Sequence, residues 1–209
     1  MPFQKSILQK CVLILIAFYS GVAMSVSEPK YKLESKNEHY EVRYYGPIIV
    51  AETLIEGDFD EAGSKAFAIL ADYIFGKNIS KKKIEMTAPV VQQNRSEKIE
   101  MTAPVSQIED GKRYMIQFTM PSTYTMETLP QPLDSRVTLK EIGARTLAVF
   151  SYSGSWSENR YRSKLSEFNL ELAKNKILTK GEPVFARYNS PFQLWFLRRN
   201  EIWLEISQK

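Results

Sequence analysis

From Tyr40 to Glu56 the chain is rich in Val, Ile and Tyr and is interrupted once, at Gly46-Pro47. That pattern predicts a strand, a bend and a second strand. At Gly57-Asp58 the spacing of apolar positions changes. Phe59, Ala62, Ala66, Ile69 and Tyr73 recur on one helical face up to Phe75, so a helix is expected with that face toward a core. Asp58 stands where an N-cap belongs, Glu61 could complete a capping box, and Gly76 suits the stop. Lys112 to Met120 returns to alternation. Pro121 to Pro132 holds three prolines and reads as a long loop, a kind of segment that often carries function. Val137–Ile142 and Thr146–Ser153 read as strands joined at Gly143. Ser157 then opens a second helix with the stripe Tyr161, Leu165, Phe168 and Leu172. Val184–Tyr188 and Glu201–Ile206 are the last expected strands.

The order strand, helix, strand, strand thus occurs twice, with one helix for each antiparallel set. The expected class is α+β: a duplicated β-α-β-β unit forming a distorted antiparallel barrel or sheet with two flanking helices. No Gly/Ser-rich or Pro-rich linker separates the halves, so residues 40–207 are expected to be one domain, preceded by a flexible lead-in over 26–39.

One stretch is written twice. Lys83-Ile84-Glu85-Met86-Thr87-Ala88-Pro89-Val90 returns as Lys98-Ile99-Glu100-Met101-Thr102-Ala103-Pro104-Val105. Within each copy Ile, Met and Ala alternate with Glu, Thr and Pro, the period of a half-buried strand. The polar stretch Gln92–Glu97 between them suits a loop, so the two copies are expected to fold back as a hairpin. Pro89 and Pro104 would mark its edges.

Four segments together resemble the SOUL haem-binding protein family. Tyr40-Glu41-Val42-Arg43-Tyr44-Tyr45-Gly46-Pro47 looks like that family's opening strand, and Lys83–Val90 is similar to its Met-Thr-x-Pro-Val signature. Tyr188-Asn189-Ser190-Pro191 and Arg199-Asn200-Glu201-Ile202-Trp203-Leu204 look like its closing strands. The likeness runs from about Lys30 to Ser207 and implies the same duplicated, distorted barrel. It also implies a tetrapyrrole, haem above all, as the ligand class, bound in a largely apolar cleft between the first helix and the closing strands. The positions implied are Ser64, Lys65, Phe67, Ala68, Ala71 and Asp72 on the helix, with Val184, Phe185 and Tyr188 opposite. Lys65 or Arg187 could then pair with a haem propionate. Some family members carry a proposed ligand His in the opening strand. Tyr44 stands in that place here, so a tyrosinate is the axial ligand this strand could offer.

The first 25 residues form a separate case. Lys5 and Lys10 precede the apolar run Cys11–Tyr19, which is short for a bilayer span, and Ala23-Met24-Ser25 has small residues where a signal peptidase cuts. A secretory signal peptide over 1–25 is expected, and with it a periplasmic or secreted protein with no stable membrane span after cleavage. The formal charge of +4 falls to +2 without Lys5 and Lys10, since the segment has no acid. A value so near neutral argues against a nucleic-acid partner. The single cysteine, Cys11, would leave with the signal, so no disulfide or thiolate chemistry is expected.

Catalysis finds little material. Nucleophilic hydrolysis needs a base beside its nucleophile, and His39 in the lead-in is the sole histidine. A common zinc site needs several His or Cys. The chain is therefore expected to be no enzyme. Binding is better supplied: aromatics are 12% of the chain, and Met86, Met101, Met115, Met120 and Met126 fall in one region. Such side chains form adaptable apolar surface, as core or against a flat ligand. The expectation is a haem or tetrapyrrole carrier or buffer. The alternative is a module for another amphipathic molecule or a protein partner, without haem in vivo.

Overall fold

The computed structural model describes residues 26–81 and 96–207. Nine strands make one antiparallel curled sheet in the order β1-β2-β9-β11-β10-β5-β6-β3-β8. The strands are β1 (Tyr31–Lys36), β2 (Glu41–Tyr45), β3 (Ile48–Glu56), β5 (Val105–Asp110), β6 (Arg113–Thr119), β8 (Thr138–Ile142), β9 (Arg145–Ser153), β10 (Thr179–Arg187) and β11 (Arg199–Ile206). Helix α1 spans Phe59–Ile74 and α2 spans Glu158–Lys174. The two-residue strands β4 (Asn78–Ile79) and β7 (Gln131–Pro132) pair separately.

The duplication is visible in the pairing. In β3-α1-β5-β6 the first strand pairs with the last and the last with the middle one. In β9-α2-β10-β11 the same holds. β5 and β10 join the halves antiparallel, while β2 lies on β9 and β8 lies on β3. The strand preceding each half therefore crosses to the other half, so the two halves share one continuous sheet. The sheet stays open, with β1 and β8 as edges. The expected α+β class holds, and the "barrel or sheet" alternative resolves to a half-barrel.

Strands β9, β10 and β11 carry buried apolar residues on both faces. On β9, Ala148 and Phe150 pack under α2 with Phe168, Phe185 and Ile202. Their neighbours Leu147 and Val149 pack on the other face with Tyr45, Val184, Ala186 and Trp203. A continuous run such as Leu147–Phe150 is the sequence form of a strand buried on both sides. Under α1, Ala66, Leu70, Tyr73 and Ile74 meet Ala51, Ile116, Phe118 and Leu129. We refer below to the helix face and the second face of the sheet.

Several local expectations change. The lead-in is not loose throughout, since Tyr31–Lys36 pairs with β2. Asp58 and Ser157 are the N-caps, yet neither side chain bonds a helix N–H. Glu61 pairs with Lys65 instead (2.7 Å), and the N–H of Glu158 is accepted by Asp60 of the other helix (2.8 Å). The first copy of the repeat and the Gln92–Arg95 part of the expected loop lie outside the described residues. The second copy is not a strand before Val105. Ile99 is buried against α1 and donates its N–H to Ile74, Ala103 N–H is accepted by Ser27, and Thr102 Oγ1 donates to the Thr119 carbonyl. The strand following it, β5, was hidden because Ser106 and Gln107 look polar. Both are buried, and Gln107 donates its Nε2 to the Phe59 carbonyl (3.0 Å) while its Oε1 finds no partner among the described residues.

One turn offers a pH test. Arg136 donates its Nη2 to Asp134 (2.6 Å) and its backbone N–H to the same carboxylate (3.0 Å). These bonds hold the Asp134 carboxyl down at about 2. The interaction is thus complete above the ordinary carboxyl value near ~3.9 and fades as pH falls toward 2. An NMR titration of Asp134 is expected to show that low midpoint, and Arg136→Gln, which keeps the backbone N–H, to raise it toward the ordinary range. Equal midpoints in the two proteins would refute the pairing.

Candidate functional site

The register of the strands lays one row of side chains across six of them on the helix face. The row is Ala51, Phe118, Val105, Arg187, Asn200 and Tyr152. Helix α1 stands over one part of it. The Phe67 ring lies 5.4 Å from the Phe118 ring, and Gly63 lies directly over the Arg187 guanidinium. A Cβ at position 63 would collide with that guanidinium, so the absence of a side chain is what allows the approach. Trp156, just before α2, covers the other side, with Arg187 5.5 Å from its ring. Its indole N–H is accepted by Asn200 (2.9 Å). Helix α1, the β5–β10 seam and Trp156 surround the Arg187 guanidinium, and we refer to the surface between them as the groove.

That cation has no counterpart. Among the described residues no hydrogen bond or ion pair reaches the Arg187 guanidinium, and its Nε is fully enclosed. The rings of Trp156 and Phe185 are its neighbours. Burial without an anion pushes the group down to about 10, and it stays charged at neutral pH. The hydroxyl of Tyr152, in the same row, is also buried and unpaired. Buried polar groups are normally satisfied, so an orphaned cation and a nearby orphaned hydroxyl require an explanation. An anionic group entering the groove would supply one. Arg187 itself keeps partial exposure, so the groove is accessible.

The positions expected from the sequence fall into three places. Ser64, Lys65, Ala68 and Asp72 are exposed on α1, with Lys65 held by Glu61 and Asp72 by Lys77. Phe67 is partly exposed beside Phe118, and Ala71 is buried. Phe185 shares the helix face but is fully enclosed, stacked on Phe59 and beside Tyr161. Val184 and Tyr188 cannot face α1: strand alternation sends 184, 186 and 188 to the second face. Arg187 is the closing-strand residue that meets the helix. Tyr44 is half-exposed on β2, separated from β10 by β9 and β11. Gly63, Val105, Trp156 and Tyr152 were not foreseen. The signals were a glycine inside an amphipathic helix and an arginine following Phe185-Ala186 on an apolar strand.

On the second face lies a fully buried carboxylate, Glu201. It accepts from Tyr188 OH (2.8 Å), Trp203 Nε1 (2.7 Å), Arg43 Nη1 (3.2 Å), Arg199 Nε (3.2 Å) and Ser151 Oγ (3.3 Å). Burial, then the Glu201 charge, pushes the Tyr188 phenol far above its ordinary value. Every oxygen is occupied, which makes this a structural cluster. A separate cleft of about 430 Å3 lies between residues 27–30, the β2–β3 turn and the Tyr124–Met126 part of the long loop. It contains none of the expected site positions. Among the described residues no group of three or more His, Cys, Asp or Glu could hold a metal ion.

A twice-repeated strand–helix–strand–strand unit curled into a half-barrel with two helices defines an α+β fold. The sequence model described as SOUL heme-binding protein matches residues 26–205, and the chain belongs to that family. It is 32% identical over 173 residues to heme-binding protein 2 of Homo sapiens, covering 79% of this chain and 77% of that protein. The Mus musculus protein of the same name is matched equally. In fold, the chain is similar to the C-terminal domain of EcmrR, with a TM-score of 0.57 at 12% identity over 86% of this chain and 99% of that one. It is likewise similar to a hydrolase from Listeria innocua, with a TM-score of 0.53 at 12% identity over 83% and 94% of the two chains.

Proposed function

We propose that this protein binds haem or a related tetrapyrrole as a carrier or buffer, in the groove between α1 and the β5–β10 seam. The observation that carries the reading is Arg187, a cation with no hydrogen-bond or ion-pair partner among the described residues, set beside the apolar surface of Phe67, Val105 and Trp156. A tetrapyrrole has the matching halves: a flat apolar ring and anionic carboxylates. Family membership supports the same ligand. The propionate would take charge-assisted bonds from Arg187, and the Tyr152 hydroxyl could add one. Lys65 is engaged by Glu61 and sits outside the groove floor. The ring would be held by apolar contact, because Tyr44 lies three strands away from the groove.

The role is binding rather than turnover. One histidine in the whole chain, and the satisfied Glu201 cluster, supply no nucleophile–base pair. Residues 1–25 support export, to the periplasm or the exterior, as the place of action. The alternative, a module for another amphipathic anion, would use the same Arg187.

A haemin titration followed by absorbance tests this. A saturable one-to-one Soret shift is expected in the wild type and, within about twofold, in Tyr44→Phe, because no axial bond is invoked. A shift abolished in Tyr44→Phe would replace the groove by a tyrosinate site. No saturable shift in either protein would end the tetrapyrrole reading.

A further inference from the structure

Among the described residues, the connection from β10 to β11 is the most apolar exposed stretch. Phe192 is 95% exposed, Trp195 58%, Leu194 and Leu197 57% each, and Phe196 52%. Other exposed large apolar residues, such as Leu133, Leu170 and Leu178, stand apart along the chain. Single exposed apolar side chains need no explanation, but five within six positions do.

The loop is built, not slack. Arg198 reaches back across it, donating Nε to the Gln193 carbonyl (2.9 Å) and Nη2 to the Pro191 carbonyl (2.7 Å). Its guanidinium rests 4.2 Å from the Trp156 ring. Asn189 accepts the Arg199 N–H (2.6 Å), and Leu197 N–H is accepted by Leu194 (2.9 Å). An arginine is thus spent on holding the backbone closed while the apolar side chains point away from the fold. No acid lies between Asn189 and Asn200; Arg199, at the loop's base, is paired with Glu28 (2.9 Å) and Glu201 (3.2 Å), and Arg198 is the loop's positive charge without a carboxylate among the described residues. The arrangement is a knob, not a groove. A second copy would need an apolar hollow to receive it; the 430 Å3 cleft carries Glu127, Glu141 and Lys30 on its walls, and the groove beside α1 has the charged Arg187 at its floor. A deformable apolar medium with a negative surface has no such requirement. Trp and Phe favour the headgroup boundary, and basic residues favour anionic lipid beside it.

We infer that residues 190–198 are a membrane-interface anchor. Phe192, Leu194, Trp195, Phe196 and Leu197 enter the boundary of an anionic bilayer while the domain stays in water. No helix among the described residues is long and apolar enough to cross a membrane, so the contact is peripheral. One such loop gives weak, reversible attachment.

The test uses the full chain with vesicles of phosphatidylcholine and phosphatidylserine carrying brominated acyl chains. Residues 1–25 contain no tryptophan, and Trp203 is buried, so quenching reports on Trp195 with a lesser part from Trp156. The wild type is expected to be quenched, Trp195→Phe to lose most of that quenching, and Phe192→Asp with Phe196→Asp to lower it by about tenfold or more at equal lipid. All three should share one far-ultraviolet dichroism spectrum. Sedimentation with vesicles but without Trp195 quenching would overturn the inference, since the first 25 residues would then hold the protein there. So would failure to bind vesicles. A wild-type dimer that becomes monomeric in the Phe192→Asp, Phe196→Asp protein, again unquenched, would assign the knob to a second copy instead.

Discussion

Glu201→Ala is expected to destabilise the domain by about 3–5 kcal/mol, the range for removing one partner of a buried ion pair. Glu201 is fully buried at the centre of β11, and five donors converge on it. Its removal leaves Arg43, itself nearly inaccessible, with Glu41 as its remaining carboxylate. Tyr188 and Trp203 lose their acceptor in the same step, and each unpaired buried donor adds its own penalty. In a domain of this size the midpoint of thermal unfolding should fall by roughly 10 °C. Glu201→Gln keeps the volume and one acceptor, so its loss should be smaller. Urea denaturation measures both variants. If Glu201→Ala unfolds within about 1 kcal/mol of the wild type, the cluster is not what holds β2, β9, β10 and β11 together on the second face.

Arg187→Met is expected to act in opposite directions on stability and on binding. Without ligand, Arg187 is a partly buried charge whose enclosed Nε has no hydrogen bond among the described residues, and Met fills similar volume without that cost. The ligand-free domain should gain about 1–3 kcal/mol. Haemin affinity should fall about tenfold to a hundredfold, the equivalent of losing a charge-assisted hydrogen bond. A structural arginine would behave differently: its loss would destabilise the fold and leave affinity alone. That pair of results would remove Arg187 from the site. The predicted pattern is a trade of stability for function, as is common where a site holds groups the fold itself does not satisfy.

The comparison of reading and structure is most instructive at the closing strands. Both helices and most strands were legible because their apolar periods are regular: Phe59 to Tyr73 at helical spacing, Tyr114 to Phe118 by alternation. Strand β5 was missed because Ser106 and Gln107 are buried by tertiary partners that no local pattern announces. Copy two of the repeat was misread for a related reason. Its alternation is real, yet Ile99 and Ala103 spend their N–H groups on Ile74 and Ser27 rather than on a neighbouring strand. Residues 184, 185 and 188 were grouped as one side of a cleft, although a strand cannot present neighbours of opposite parity to the same helix. The parity could have been read; the partner face could not.

The sequence by itself determined the class of the fold, the order of its two halves, its family and the poverty of catalytic groups, because these depend on local period, motif and inventory. Tertiary structure decided which residues face one another. It brought Gly63 of α1 over Arg187 of β10, some 120 positions later, and left that cation unpaired. It also sank Glu201 among five donors drawn from three strands and from the segment after β10. Whether a charge is satisfied is a property of three-dimensional neighbours, and those are set by strand register and by the crossing of β2 and β8 between halves.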